Sequence, residues 1–170
     1  MTLCHFDVME KQFNVKQQEA EDFKLLQKLN ADIFKLEDLE RRIKETDKDQ
    51  IDASGRTSDN RIVNIEIKSR DCNIDTYPSL MIETHKKLPM LEEYVRYGRI
   101  PIYVNFLKDD KAVVFNVLTA SGLMKRERTW SRLYKDWENG YKEYFPIDGN
   151  GVWIYEKKDE KWSKYKRDGK

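Results

Sequence analysis

The stretch QIDASGRTSDNRIVNIEIKSRD, residues 50–71, decides the fold and raises the question of function. Two apolar segments flank the polar sequence GRTSDN, which predicts a short strand over 50–54, a turn over 55–60 and a longer strand over 61–69. Apart from Arg61 at the start of the second strand, these apolar strands contain three charged residues: Asp52, Glu66 and Lys68. They are either ordinary solvent-facing charges or the acidic and basic parts of a metal site.

The alternation of side chains along a strand would bring these charges together. Successive residues of a strand lie on opposite faces, so Glu66 and Lys68 project side by side. If the two strands form a hairpin, Asp52 lies beside Glu66. Two carboxylates this close repel each other unless a cation lies between them, and hard oxygen ligands suit Mg²⁺ or Mn²⁺. Lys68 then stands next to the metal, where it can hold a phosphate oxygen or polarise a water.

The sequence around the hairpin predicts a mixed α/β fold with a sheet at its centre. Hydrophobic periodicity and apolar runs predict helices over 14–30 and 79–97 and strands over 100–107 and 112–118. A kink is expected at Pro89, and Gly98 is suited to end the second helix. Residues 31–46 suit either a helix or a strand over 33–39, and both remain open.

The composition fits one charge-rich domain. Of the 170 residues, 39% are hydrophobic and 37% are charged, and the net charge is +1. No apolar run approaches the ~20 residues of a membrane span, and the N-terminal sequence predicts no secretory signal, so we expect a cytoplasmic protein without membrane contact. The two cysteines are expected to be free thiols. Without a linker or repeat, residues 1–170 are predicted to form one domain, with a core at about 14–118 and an extension at about 119–170.

Three features resemble the PD-(D/E)xK nuclease superfamily. Asp52 is followed after 13 residues by Glu66-Ile67-Lys68, which resembles the signature of that family. The predicted order of helix, three strands, helix and strand resembles its core. The sequence YPSLMIETHKKLPMLEEY followed by IPIYVNFL resembles the helix and next strand of small phage and bacterial members. The resemblance implies a restriction-endonuclease-like α/β core, a central mixed β-sheet flanked by helices.

The resemblance also implies an activity, a Mg²⁺-dependent endodeoxyribonuclease that hydrolyses phosphodiester bonds in DNA, with Mn²⁺ as a substitute metal. Carried over from the family, Asp52 and Glu66 are metal ligands, the carbonyl of Ile67 is a further ligand, and Lys68 is the catalytic cation. Asp49 is a rival for the position of Asp52, but it lies in the charged turn DKD. Many small nucleases of this kind dimerise to cut two strands, so a homodimer is one expected assembly.

Both predicted helices offer further candidates. The family often has a Glu on its first helix, and Glu19 is the candidate here because it shares a face with Phe23 and Leu26. On the second helix, Glu83 and Lys86 are candidates for a place near the metals, and Lys86 is assigned to nucleic-acid binding. A solvated helix charge is the alternative interpretation for each of these residues.

Two basic and aromatic stretches follow residue 118. In MKRERTWSRLYK the candidates for nucleic-acid binding are Lys125, Arg126, Arg128, Trp130 and Arg132, whose cations would contact phosphates and whose aromatic ring could stack on bases. The stretch EKKDEKWSKYKRDGK, residues 156–170, repeats this pattern, and residues 151–165 are expected to form a hairpin. The alternative for both is soluble surface over a small core.

Two other functions compete with the nuclease. One is a catalytically silent nucleic-acid-binding or inhibitory module of the same fold, which would be expected to have lost one of the three residues Asp52, Glu66 and Lys68. The other is an unrelated α/β protein whose charges fall in this pattern by chance. Metal binding between Asp52 and Glu66 distinguishes the first function from the others.

Overall fold

The computed structural model describes residues 3–42, 51–120, 122–131 and 136–166, with side chains at 16–42, 51–120, 122 and 142–166. The described elements are, in chain order, α1 (Leu3–Leu29), a π-helical turn (Asn30–Phe34), β1 (Glu37–Arg41), β2 (Ala53–Arg56), β3 (Ile62–Arg70), β4 (Ser79–Glu83), α2 (Thr84–Tyr97), β5 (Ile100–Leu107), β6 (Lys111–Asn116), β7 (Leu123–Ser131), β8 (Asp136–Pro146), β9 (Val152–Lys158) and β10 (Lys161–Lys164). No helix within these residues is long and apolar enough to cross a membrane.

The strands form two sheets. A seven-stranded sheet has the order β1-β2-β3-β5-β6-β9-β10, and a three-stranded sheet has the order β4-β8-β7. Strands β3 and β5 are parallel, whereas the other pairs of the large sheet are antiparallel. A parallel pair needs a long crossover connection, which β4 and α2 supply here. The prediction of an α/β fold with a central mixed sheet flanked by helices is confirmed.

The large sheet packs a hydrophobic core on each face. On one face, Leu26 and Leu29 of α1 pack with Ile65 and Val104 of the central strands. On the other face, Met90 of α2 belongs to a second core that also contains Tyr103, Phe115, Ile82 and Phe145. Burial on both faces explains the continuous apolar run of β5. The buried polar side chains of these two strands, Asn64 and Glu66 of β3 and Asn105 of β5, therefore need a specific explanation.

The structure differs from the sequence prediction between residues 79 and 83. These residues form strand β4 and not the first turns of a helix, because Leu80 and Ile82 alternate into the core while the backbone pairs with residues 142–146 of β8. That partner strand is more than 50 residues away in the sequence, as in Ile82↔Glu143. Local periodicity does not register such a partner, so the helix begins at Thr84 and not at Ser79.

The ambiguous residues after α1 combine a helical turn and a strand. Helix α1 begins well before residue 14 and runs into the π-helical turn Asn30–Phe34, which ends at Lys35 with a left-handed φ of 56°. Strand β1 then pairs with β2. The predicted alternative of a strand is therefore correct for the second part of this segment, shifted by a few residues towards the C-terminus.

The predicted C-terminal hairpin is confirmed, and it belongs to the large sheet. Strand β9 pairs with β6, and β10 pairs with β9. Trp162 is 3% exposed and packs against Phe106 with the ring centroids 5.9 Å apart. The expectation that this stretch uses an aromatic ring to stack on bases is therefore wrong for Trp162, which is a core residue.

Candidate metal-binding and catalytic site

A pocket of about 250 Å³ lies where the β2–β3 hairpin meets both helices. Six of the predicted functional residues line it, so the fold brings together groups that are distant in the sequence. Its lining residues are Gln18, Glu19, Asp22, Phe23, Arg41, Asp52, Glu66, Ile67, Lys68, Ser69 and Lys86.

The hairpin fixes Asp52 beside the Glu66-Ile67-Lys68 segment. Ala53 pairs with Ile65, and the backbone N–H of Asp52 donates to the carbonyl of Ile65 at 3.0 Å. The Oδ2 atom of Asp52 accepts the backbone N–H of Ile67 at 2.8 Å. This hydrogen bond fixes one oxygen of Asp52 against the backbone of β3. Asp52 is thus a rigid acidic group at one wall of the pocket.

Glu66 is the most deeply buried of the described acids that line the pocket. Its position is 2% exposed, and the Nζ atom of Lys86 lies 2.8 Å from its Oε1 atom. Lys86 lies in the first turn of α2, from which its side chain reaches Glu66 on β3. The cation offsets part of the cost of burying a carboxylate, which in isolation would be large.

Lys68 lies at the open end of the same face, where its position is exposed. Its cation acts on Glu83, the last residue of β4. Burial alone would raise the pKa of the Glu83 carboxyl, but the charge of Lys68, the backbone N–H of Glu83 and the charges of Arg70 and His85 outweigh it, and the pKa is lowered. Glu83 is therefore a charged neighbour of Lys68, but it ends strand β4 and is not among the residues that line the pocket, so its place near a metal stays a prediction.

Helix α1 contributes two carboxylates. Oε2 of Glu19 accepts a hydrogen bond from Nη2 of Arg41 at 2.8 Å, so this candidate faces the pocket in an ion pair with β1. Asp22 is 8% exposed, and its Oδ1 accepts hydrogen bonds from Ser69 Oγ at 2.6 Å and from Gln18 Nε2 at 2.8 Å. The sequence analysis did not select Asp22, although its spacing of three residues from Glu19 places both on one helix face.

The oxygen donors of the pocket fit a hard divalent cation. Asp52 and Glu66 flank the backbone of Ile67, and Glu19 and Asp22 face them from α1. No group of three or more His, Cys, Asp or Glu side chains among the described residues is close enough to form a complete metal cage. Mg²⁺ is commonly held by one or two carboxylates while waters and substrate phosphates complete its coordination, so a pair of acids is a sufficient anchor.

The remaining candidates lie outside the side-chain description. Lys125, Arg126, Arg128 and Trp130 belong to β7, whose backbone pairing with β8 is described. Arg132 and Asp49 lie outside the described residues. For these residues, the contribution to nucleic-acid binding or to the metal site stays a prediction.

The sequence matches no protein-family model, and no curated protein matches it. Among solved structures, the fold is similar to that of Hjc, a Holliday junction resolvase from the archaeal hyperthermophile Archaeoglobus fulgidus. The two structures share a TM-score of 0.45 and 13% sequence identity, over 72% of this chain and 82% of that chain.

Proposed function

We propose that this chain is a metal-dependent nuclease of the PD-(D/E)xK type that hydrolyses phosphodiester bonds in DNA. One observation carries the proposal, the convergence of Asp52, Glu66 and Lys68 on a single pocket around the backbone of Ile67. Two acids and a cation on adjacent strands form the minimal set for metal-assisted phosphoryl transfer. Glu66 is only 2% exposed, so it is not an ordinary surface charge.

Each residue has a distinct part in the proposed reaction. Asp52 and Glu66 would hold Mg²⁺, with the carbonyl of Ile67 as a further ligand. The bound ion would supply a water of lowered pKa and neutralise charge on the scissile phosphate. Lys68, at the open end of the site, would meet the negative charge that grows on the phosphate oxygens in the transition state. The hydrogen bond from the Ile67 N–H orients Asp52 for this task.

The ion pair between Lys86 and Glu66 favours a second candidate function. The ammonium of Lys86 can neutralise Glu66 permanently in place of a metal, which would leave a catalytically silent DNA-binding module of the same fold. Calorimetric titration with Mn²⁺ separates the two functions. The nuclease predicts binding by the wild-type chain that Asp52→Asn abolishes, whereas the silent module predicts no binding by either.

The experiment that tests the nuclease is a cleavage assay on labelled linear, nicked, branched and single-stranded DNA with Mg²⁺, Mn²⁺ or EDTA. We expect cleavage with either metal, none in EDTA, and loss of cleavage in Glu66→Gln. Glu92→Gln is a matched control because it removes the same charge from an exposed residue of α2, where Glu92 pairs with Arg96. Equal cleavage by Glu66→Gln and wild type, or no cleavage of any substrate, overturns the proposal.

A further inference from the structure

The small sheet continues into a two-stranded ribbon. Strands β7 and β8 pair from Leu123↔Tyr144 to Ser131↔Asp136. Strand β4 pairs with residues 142–146 of β8, so among the described residues 136–141 pair with β7 alone. At about 3.4 Å per residue, this stretch extends the ribbon by roughly 20 Å beyond β4.

The register separates the residues of the ribbon by chemistry. Directly paired residues share a face, and successive residues alternate between faces. One face, called here the basic–aromatic face, carries Arg126, Arg128 and Trp130 opposite Tyr141, Asn139 and Trp137. Along 126–130 and 137–141 it has two arginines and three aromatic residues, and the acid that shares this face is Glu143 at the base of the ribbon, which pairs with Lys87. The opposite face carries the three acids Glu127, Glu138 and Asp136 together with Lys125 and Lys142.

The base of the ribbon adjoins the candidate catalytic pocket through α2. Two consecutive lysines of its first turns make the connection. Lys86 pairs with Glu66 in the pocket, and Lys87 pairs with Glu143 of β8. By the alternation along β8, Glu143 lies on the same face as Tyr141, Asn139 and Trp137. At its base this face meets α2 and the buried Phe145, so a nucleic-acid strand on the basic–aromatic face would end at α2, the helix whose Lys86 reaches the pocket.

We propose that the basic–aromatic face binds unpaired nucleotides, so that the proposed nuclease acts on DNA with a single-stranded segment. This inference rests on the proposed function. The arginines of this face would complement phosphates, because Glu143, the acid that shares the face, is ion-paired with Lys87, whereas the three acids of the opposite face would repel phosphates. Aromatic residues gain stacking energy only from bases that are not already stacked on both sides, which favours unpaired over duplex nucleotides. The face thus combines the two elements of single-strand recognition.

The test is fluorescence anisotropy in EDTA with labelled oligo(dT) of about 15 nucleotides, a length within the usual span of such sites, and with a duplex of equal length. EDTA prevents metal-dependent cleavage, so binding is measured independently of the nuclease activity. We expect wild type to prefer the single strand. Trp130→Ala should weaken single-strand binding by about tenfold, as expected for one stacked base. Arg128→Gln should weaken it severalfold.

Two variants provide matched controls outside the ribbon. Trp153→Ala removes an exposed tryptophan of β9, and Arg96→Gln removes an exposed arginine of α2. Both should bind as wild type does. Lys125→Gln should lose less than Arg128→Gln, because the register places Lys125 on the opposite face of the same strand.

Several outcomes overturn the inference. These are equal wild-type affinity for duplex and single strand, equal losses in Lys125→Gln and Arg128→Gln, and unaltered binding in Trp130→Ala. If Trp130→Ala unfolds in a thermal melt, its ring is needed for the fold and this variant cannot test binding. The comparison of single-strand binding by Arg128→Gln and Lys125→Gln then decides whether the basic–aromatic face binds DNA. Single-strand binding without cleavage in Mg²⁺ would refute the nuclease while retaining the binding face.

Discussion

The ammonium group of Lys86 on α2 lies 2.8 Å from Oε1 of Glu66 on β3, across the boundary between helix and sheet. The Glu66 side chain is 3% exposed and that of Lys86 is 23% exposed, so the pair is largely shielded from water. A shielded pair resists the loss of either partner far more than a surface pair does. This pair therefore couples the stability of the fold to the chemistry of the candidate metal site.

Replacement of Lys86 should expose that coupling. Lys86→Ala removes a cation from a buried carboxylate, and we expect the free energy of unfolding to fall by about 2–3 kcal/mol without metal. Millimolar Mn²⁺ should restore part of this loss, because a metal bound at Glu66 replaces the missing charge and stabilises the folded state. Urea denaturation with EDTA or Mn²⁺ measures both effects. The exposed Arg96→Ala should lose about 0.5 kcal/mol or less and gain nothing further from Mn²⁺ than wild type does. Equal losses in the two variants would contradict the coupling.

Asp52 should be needed for the metal and not for the fold. In Asp52→Asn the side-chain oxygen can still accept the N–H of Ile67, so we expect a cooperative thermal transition close to that of wild type in EDTA. Wild type should melt at a higher temperature in millimolar Mg²⁺ or Mn²⁺, and Asp52→Asn should not. Cleavage by the variant should fall at least ~10²-fold. A metal-induced rise in melting temperature that survives in Asp52→Asn would remove this residue from the metal site.

The effect of replacing Lys68 distinguishes a nuclease from a protein that only binds metal. A cation near the metal disfavours metal binding, whereas a phosphodiesterase uses it to meet charge on the phosphate. We therefore expect Lys68→Ala to bind Mn²⁺ at least as tightly as wild type, yet to cleave DNA about 10²-fold more slowly. Calorimetry and single-turnover cleavage of labelled DNA measure the two quantities. Wild-type cleavage by this variant would exclude the lysine from the mechanism.

Glu83 should contribute stability that depends on pH. Its folded-state pKa is lowered from the usual value of 4.5, despite burial, chiefly by the charge of Lys68. A lowered folded-state pKa stabilises the native state above the unfolded-state pKa, and the contribution disappears as the pH falls through the folded-state value. Glu83→Gln should therefore unfold more readily than wild type at pH 7, and this difference should shrink below pH 4.5. A difference in unfolding free energy that stays constant between neutral and acidic pH would refute the electrostatic account.

In contrast to the Glu83 carboxylate, we expect the hydroxyl group of Tyr103 to contribute nothing to the stability of the fold. Tyr103 is a fully buried residue of β5, the strand between β3 and β6. Its hydroxyl has no hydrogen-bond partner among the described residues. Burial raises the pKa of this phenol well above its usual range. Tyr103→Phe keeps the ring and removes the unsatisfied group, so we expect unchanged or higher stability by chemical denaturation. A loss above about 1 kcal/mol would indicate a hydrogen bond that an internal water supplies.

The sequence by itself determined the hairpin and the faces of its strands. Alternation along a strand is a local property, so the sequence sufficed to place Glu66 and Lys68 on one face and Asp52 on the adjoining strand. The two strands do form a hairpin, and its register, with Ala53 opposite Ile65, agrees with the predicted placement of Asp52 beside Glu66. The burial of β5 could also be anticipated from its continuous apolar run, whereas its parallel pairing with β3 came from the structure.

Only the tertiary structure decided how these groups differ. Glu66 and Lys68 share a face, yet α2 covers Glu66 while Lys68 remains exposed. The pairing of β4 with β8 and the approach of Asp22 to Ser69 depend on partners 47 or more residues away, which a local pattern does not encode. Burial, ion pairing and pKa are set by whatever packs against a residue. For this site that partner is a helix or strand from elsewhere in the chain.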